Sequence, residues 1–395
     1  MKFLKAVRPL EWVLLLFLLA VTLMVGPSAA LNGASRFAEA RSREVFLALL
    51  VVVTIQQVAK AMQSSWEDRA HPLRMKLLLW LPMALLPFLI GLGTGIFDEE
   101  LWTRIAGEFD AFAVLKALLV FLQIFSFGAP TMLLWLGLWE MGRSQGRIQL
   151  GPFVSQSAVA VASSLRDWIP LLMLISGYAW IGEVMELSVQ HGVDDALRRA
   201  DLWLFGTDPV VALQAIISRP LSVWLAFAYS MYAVFYAVCP SVVWLSSGRQ
   251  AFRELALMLG SAMAVTCFSY LVFPAKGPVL SQTFTVPLDM YFIEPIKEAL
   301  MDAGRINWDC FPSMHTCATL IFWFGAWRYA RPMFWVMSPI AISIPFACVY
   351  LRYHYVVDVI AGAALAAIVC FLTVRFSPKA NEKPLPLPQG EGDRQ

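Results

Sequence analysis

The 395-residue chain contains only four histidines, and two of them stand where chemistry can be done. His315 belongs to Phe311-Pro312-Ser313-Met314-His315, at the head of an apolar run. Proline is favoured in the first turn of a helix. A helix starting here would present unpaired backbone N–H groups and a positive dipole end, which suit an anion such as phosphate. His315 falls within that first turn and could address the same anion. His354 belongs to Tyr350-Leu351-Arg352-Tyr353-His354-Tyr355-Val356-Val357-Asp358. On a helix, residues four apart share a face, so Asp358 is placed to accept a hydrogen bond from one ring nitrogen of His354. That bond would set the tautomer and leave the other nitrogen as a nucleophile or base. Arg352, two residues before His354, could add positive charge.

Each residue alone has a plainer reading. A histidine can be an interfacial anchor, His-x-x-x-Asp is a common spacing, and an arginine near a helix end can snorkel to the membrane surface. The set, which Lys276 in Phe273-Pro-Ala-Lys-Gly-Pro278 joins from a third segment, argues for a site because separate stretches supply it, and because an acid at the head of a spanning helix is costly without a role.

The elements that must position these groups are membrane helices. The chain is 59% hydrophobic and only 15% charged, with a mean hydropathy of +0.66. Soluble domains run at about 45–50% apolar and about 25% charged. Disorder, coiled coils, collagen-like rods and secreted disulfide scaffolds are excluded, and an ordinary soluble enzyme does not fit. The net charge of +2, spread between apolar runs, speaks against a nucleic-acid surface. The six cysteines (Cys239, Cys267, Cys310, Cys317, Cys348 and Cys370) form no Cys-x-x-Cys pair and read as packing residues rather than a metal site.

A spanning helix needs about 20 mostly apolar residues. About ten runs qualify, near 11–31, 44–61, 76–97, 111–139, 168–187, 221–246, 254–273, 313–330, 332–351 and 356–376. The expected fold is all-α, a polytopic membrane bundle. Residues 1–150 would form a four-helix N-terminal extension, 151–376 a six-helix catalytic core, and the proline-rich segment 377–395 a disordered cytoplasmic tail. The first run, preceded by Lys2, Lys5 and Arg8 and followed by Gly-Pro-Ser-Ala-Ala, could also be a cleaved signal; a retained helix is the expectation. Lysines and arginines are in excess on segments that put both termini inside. His315, His354, Lys276 and Arg352 then all lie on the extracytoplasmic side of a multi-pass protein of a cell or bacterial inner membrane.

Between the fifth and sixth runs, Asp194-Asp-Ala-Leu-Arg-Arg-Ala-Asp-Leu-Trp-Leu-Phe205 has apolar positions at helical spacing. It reads as an amphipathic helix lying at the interface, with Trp203 and Phe205 as anchors. Tyr229, Tyr232 and Tyr236 share one helix face, as packing or belt residues with a headgroup contact as the other reading. Glu183 and Glu186 read as interfacial groups able to approach a headgroup. Lys116 reads as a snorkelling or paired cation.

Pro312-Ser313-Met314-His315 resembles the second signature, Pro-Ser-Gly-His, of the type 2 phosphatidic acid phosphatase superfamily. His354-x-x-x-Asp358 resembles the end of its third. The Phe-Pro-Ser-Met-His form, the Tyr-Leu-x-x-His-Tyr-x-x-Asp form and Phe-Pro-Ala-Lys-Gly-Pro at 273–278 resemble the inositol phosphorylceramide synthase-like branch. The likeness extends over about residues 190–375. Two positions depart from the pattern. The first signature is Lys, six residues, then Arg-Pro, whereas Thr283 stands seven residues after Lys276. The third carries Arg six residues before its histidine, where this chain has Cys348; Arg198, Arg199 or Arg305 could contribute instead.

The resemblance implies phosphoryl transfer without a metal or other cofactor. His354 would attack phosphorus, Asp358 would orient it, and His315 would protonate the leaving oxygen. Lys276, Ser313 and Arg352 would hold the phosphate oxygens. The substrate would be a membrane lipid phosphate, with water as acceptor for a phosphatase or a lipid hydroxyl for a phosphotransferase. The competing reading is a membrane transporter using His315, His354 and Asp358 as a proton relay.

Overall fold

The computed structural model describes residues 8–25, 191–290 and 306–376, with further positions between 163 and 189. The expected spans at 44–61, 76–97 and 111–139, the segment 377–395, Lys116, Glu183, Glu186 and Arg305 lie outside the described residues. Every described element is helical; the one β-bridge pairs Ala275 with Asp309. In chain order the elements are α1 (Pro9–Val25), α2 (Asp194–Phe205), α3 (Pro209–Ala212), a 3-10 turn (Leu213–Ile216), α4 (Arg219–Val272), α5 (Pro278–Ser281), α6 (Met314–Tyr329), α7 (Arg331–Tyr350) and α8 (Val356–Phe376). Helical backbone also runs through 166–174 and 180–182.

The sixth and seventh expected spans are the two limbs of α4. Gly248 separates them, with φ of 80° and ψ of −175°, a conformation open to glycine because it has no Cβ. Tyr229 stacks on His315 at the start of α6, while Ser246 and Ser247 donate to the Tyr329 carbonyl at its end. Limb 219–247 therefore runs alongside α6 in the same direction. Beyond Gly248, Glu254 accepts from the Tyr329 hydroxyl, and the Tyr270 hydroxyl donates to the Pro312 carbonyl at 3.4 Å. Limb 249–272 thus returns antiparallel. The chain reverses at one end of the bundle, and both histidine segments sit at the other.

Among the described residues, three stretches are long and apolar enough to cross a membrane: Val238–Val272, which contains the Gly248 reversal, Arg331–Tyr350 and Val356–Phe376. α7 and α8 show large apolar side chains on the outside, with Val336 79% and Phe371 67% exposed. Contiguous exposed apolar surface on that scale fits a membrane protein. Pro339 and Pro345 lie inside α7, which lipid-embedded helices tolerate when neighbouring side chains take up freed backbone groups.

α2 stops at Gly206, a left-handed C-cap with φ of 69° whose N–H bonds the Leu202 carbonyl. The helix buries Leu197 and Asp201 and leaves Leu202, Trp203, Leu204 and Phe205 exposed, Trp203 by 84%. It is amphipathic as expected, but its inner face carries acids. Asp201 accepts from the N–H groups of Val356 and Val357, both at 2.8 Å. Asp194 accepts from those of Lys276 and Gly277, at 3.0 and 2.9 Å. The acidic face of α2 thus ties down the start of α8 and the 275–277 loop, the two segments flanking the histidines. Each N–H so paired avoids the cost of a buried unsatisfied donor.

Gly277 is a second obligatory glycine. Its φ is 79°, and a Cβ there would run into the Tyr353 carbonyl. With ψ of 164° this is an extended positive-φ conformation almost confined to glycine, and a non-glycine residue costs about 1–3 kcal/mol there before any clash. Gly277→Ala is expected to lower unfolding stability by about 2 kcal/mol, read as a lower melting temperature in detergent, with turnover falling alongside it. An unchanged melting temperature would contradict this packing.

Candidate active site

The site is built where the start of α6, the start of α8 and the loops at 274–277, 306–313 and 351–355 meet. Ser313 caps α6: its Oγ accepts from the Thr316 N–H at 3.3 Å and donates to Thr316 Oγ1 at 3.2 Å. Its own N–H donates to the Asp358 carbonyl at 3.1 Å, which joins the two motifs through the backbone. Gly362, one turn along α8, permits the approach, since a Cβ there would strike the Ser313 carbonyl.

His354 and His315 face each other, with His354 Nε2 3.5 Å from His315 Nδ1. His354 is 4% exposed and Asp358 fully buried. The expected bond from His354 to Asp358 is not the one the structure makes. His354 Nδ1 lies 2.9 Å from the Cys310 carbonyl and 3.7 Å from Asp358 Oδ2. The helical spacing argument fails because α8 begins at Val356, so His354 belongs to the preceding turn. Asp201 occupies the N–H groups of Val356 and Val357, and Asp358 Oδ2 folds back to accept from the Tyr355 N–H at 2.9 Å and the Cys310 thiol at 2.7 Å. Asp358 Oδ1 has no hydrogen-bond partner.

The tautomer argument nevertheless survives with a different partner. A carbonyl can only accept, so the neutral His354 ring carries its proton on Nδ1 and leaves Nε2 with a free lone pair. That lone pair is the atom turned toward His315.

Cys310 is therefore a site residue and not simply a packing one. Burial pushes its thiol pKa well above the ordinary value, and the adjacent Asp358 adds to this, so it remains an S–H donor. Cys310, His354 and Asp358 offer ligand atoms within 4.8 Å of one another, the set that could hold a cation; in the structure the thiol–carboxylate and imidazole–carbonyl bonds occupy those atoms. An alkylating reagent at pH 7–8 is expected to leave Cys310 unmodified in the native protein and to label it after denaturation, read by peptide mass spectrometry. Rapid native labelling would mean a thiolate is present and would overturn the donor assignment.

His315 is held between two aromatic rings, stacked on Tyr229 at 4.4 Å between centroids and tilted against Tyr232 at 4.2 Å. Tyr229 also stacks on Tyr353 at 4.8 Å, and the Tyr229 hydroxyl is 3.4 Å from His315 Nδ1. The i, i+3 spacing of Tyr229 and Tyr232 was visible in the sequence; their partner was not. Tyr236 bonds Tyr232 at 2.9 Å instead of facing a headgroup.

The other candidates do not converge on the imidazoles. Lys276 Nζ lies 4.6 Å from the centre of the Trp308 ring. The Arg352 guanidinium lies over Phe284 at 4.1 Å and donates to the Val286 carbonyl; burial lowers its pKa. Arg352 also has a φ of 68°, unusual for a residue with a Cβ. The Ser313 hydroxyl is fully buried and turned to Thr316 and to Cys348 Sγ, 3.8 Å away. Cys348, where the family pattern has arginine, holds the turn: its carbonyl accepts from the N–H groups of Tyr353 and His354, both at 3.0 Å. Arg198 pairs with Asp208 at 2.8 Å.

Comparison with known families places this arrangement. A family model of the PAP2 superfamily matches residues 196–372, a stretch running from α2 nearly to the end of α8. The match supports that superfamily for this part of the chain and, with the apolar helices, points to a membrane phosphatase-type protein. No curated protein and no solved structure matches the chain.

Proposed function

We propose that this protein is a lipid phosphate phosphatase or phosphotransferase working through a phosphohistidine, without a metal, at the extracytoplasmic membrane face. One observation carries the reading: His354 Nε2, freed by the Nδ1 contact to the Cys310 carbonyl, points at His315 Nδ1 from 3.5 Å. A phosphoryl group that displaces this contact and parts the rings meets a nucleophile on one side and a proton donor on the other. The Nε2 lone pair forms the N–P bond as the bond from phosphorus to the leaving oxygen breaks, and protonated His315 gives that oxygen its proton. In the second half His315 takes the proton of an incoming hydroxyl, whose oxygen bonds phosphorus as the N–P bond breaks. Water as acceptor completes hydrolysis; a lipid hydroxyl completes transfer, and the likeness of the second and third motifs to the inositol phosphorylceramide synthase-like branch supports a transferase of a phospho-headgroup.

We assign Lys276 and Arg352 to the phosphate oxygens. Each turns to the substrate from the aromatic ring on which it rests. For Lys276, a cation–π contact worth about 0.5–1 kcal/mol gives way to a hydrogen bond between charged groups worth about 1.5–3 kcal/mol; Arg352 is buried and also gives up its bond to the Val286 carbonyl, so its gain is smaller. Ser313 acts by fixing the start of α6, whose N-terminal end faces the same anion.

The test is turnover by the detergent-purified chain of a panel of phosphate monoester and diester lipids in EDTA, with and without ceramide or diacylglycerol. Free phosphate from monoesters establishes the phosphatase. A new lipid appearing only with an acceptor establishes the transferase. Turnover that needs added metal, or none of any lipid, removes the proposal.

A further inference from the structure

The bundle end remote from the histidines carries a second concentration of charge. α6 separates the two ends by about 24 Å at 1.5 Å per residue over its 16 residues. Asp167, almost wholly buried, is the common acceptor of three guanidinium groups, those of Arg8, Arg249 and Arg253. Arg166 pairs with Glu11 at 2.8 Å, and Glu254 accepts from the Tyr329 hydroxyl, which also accepts from Arg328 at 2.8 Å. Four guanidinium groups (Arg8, Arg166, Arg249 and Arg253) meet three carboxylates (Glu11, Asp167 and Glu254), so positive charge exceeds negative by one among these residues. Burial lowers the Arg8 pKa, and the charges of Arg253, Arg166 and Arg249 lower it further, as expected for cations crowded beyond their counterions.

A cavity of about 230 Å³ opens on this cluster, lined among others by the cations Arg8, Arg166 and Arg253 and by the acids Glu11, Asp167 and Glu254. It lies below the about 300–1,000 Å³ of a pocket for a whole drug-sized ligand; a headgroup fits it and long tails must lie outside. α1 starts at its wall and leads away with an apolar exposed face: Leu16, Leu19 and Leu23 are 60%, 55% and 76% exposed. Ile169 and Met173, on the helical segment that carries Asp167, are exposed as well.

From this juxtaposition we infer that the Arg8–Arg166–Arg253 cavity binds the phosphate of an anionic phospholipid, whose acyl chains lie along the leucine face of α1. Guanidinium groups suit phosphate because their planar fork matches two of its oxygens. Free phosphate shares the headgroup chemistry, but it gains nothing from the leucine face. The site is independent of the histidine chemistry, and its ligand is a bound lipid, not a substrate.

The test titrates the detergent-purified full chain with dioctanoyl phosphatidylglycerol, dioctanoyl phosphatidylcholine and inorganic phosphate, read by native mass spectrometry and melting temperature. The site predicts saturable binding of phosphatidylglycerol above phosphatidylcholine and phosphate. Arg253→Gln and Arg166→Gln should each weaken it on the order of tenfold or more, the loss of one charge-assisted hydrogen bond. Arg253→Lys should retain most of it, and His354→Ala all of it. Arg166 lies at the rim, half exposed, so Arg166→Gln and Arg253→Lys report even where Arg253→Gln impairs folding. Phosphatidylcholine binding equally well, or binding unchanged in both glutamine variants, overturns the site. Phosphate binding as tightly as the lipid overturns the lipid assignment and leaves a phosphate site. Binding abolished by His354→Ala assigns the lipid to the histidine end and overturns the inference.

Discussion

His354→Ala is expected to lower turnover by about 10⁴-fold or more and to abolish the covalent phosphoprotein. The wild type, quenched during turnover of a lipid labelled on phosphorus, should carry acid-labile, alkali-stable label, as an N-phosphoimidazole does, and the variant should carry none. The size of the effect follows from the geometry: Nε2 of His354 has its lone pair free and faces the proton donor. The Cys310 thiol donates to Asp358 and is held protonated by burial. Asp358→Asn should cost less, about 10–100-fold, the usual range for a group that orients a reacting residue. The Cys310 carbonyl contacts His354 Nδ1 more closely than Asp358 does, at 2.9 against 3.7 Å. His315→Ala should slow formation of the phosphoprotein, most for lipids with poor leaving groups. Label persisting in His354→Ala would remove the mechanism.

The second large effect lies away from the reacting atoms. Asp201→Ala strips the acceptor from the N–H groups of Val356 and Val357 at the start of α8. These N–H groups are half-buried at a helix start, so losing their shared acceptor should cost about 1–3 kcal/mol together. The expected readout is a sharp drop in melting temperature together with a fall in turnover. Asp201→Asn keeps one acceptor oxygen but sets its amide NH2 against the other backbone N–H, so it should recover only part of both. The pH dependence separates the two roles. Burial raises the Asp201 pKa, against the pull of the two N–H donors. A folded pKa above the unfolded value means the native state binds the proton more tightly. This group's contribution is therefore full below the unfolded value of about 3.9 and is lost as pH rises through the folded value. That slope should be present in the wild type and absent in Asp201→Asn. Equal slopes, or an alanine variant as stable as wild type, would mean α2 does not anchor the start of α8.

The residues of the histidine centre could be read from the chain because short motifs hold them. Pro312 to His315 marks a helix start by local backbone chemistry, and the apolar runs that became α6, α7 and α8 follow from the cost of leaving such stretches in water. The acidic positions of α2 were visible too, but as part of a solvated face. What they bond to depended on which loops come to lie beneath that helix, and periodicity says nothing of that.

Tertiary structure decided the rest. His354 falls in a turn instead of on α8 because Asp201, about 155 residues away in the chain, occupies the N–H groups at that helix start. Cys310 enters the site because the 306–313 loop pairs with Ala275, placing its carbonyl and thiol against His354 and Asp358. Lys276 and Arg352 rest on Trp308 and Phe284 because each long cation takes the nearest aromatic face within reach. The arginines around Asp167 come from stretches far apart in the chain: Arg8 just before α1, and Arg249 and Arg253 on α4, whose reversal at Gly248 carries them to that carboxylate. Sequence determined the types and approximate stations of the reactive groups, since those rest on local preferences of a few residues. The partners of each group were decided by contacts between segments far apart in the chain, whose energies exist only once the helices have packed.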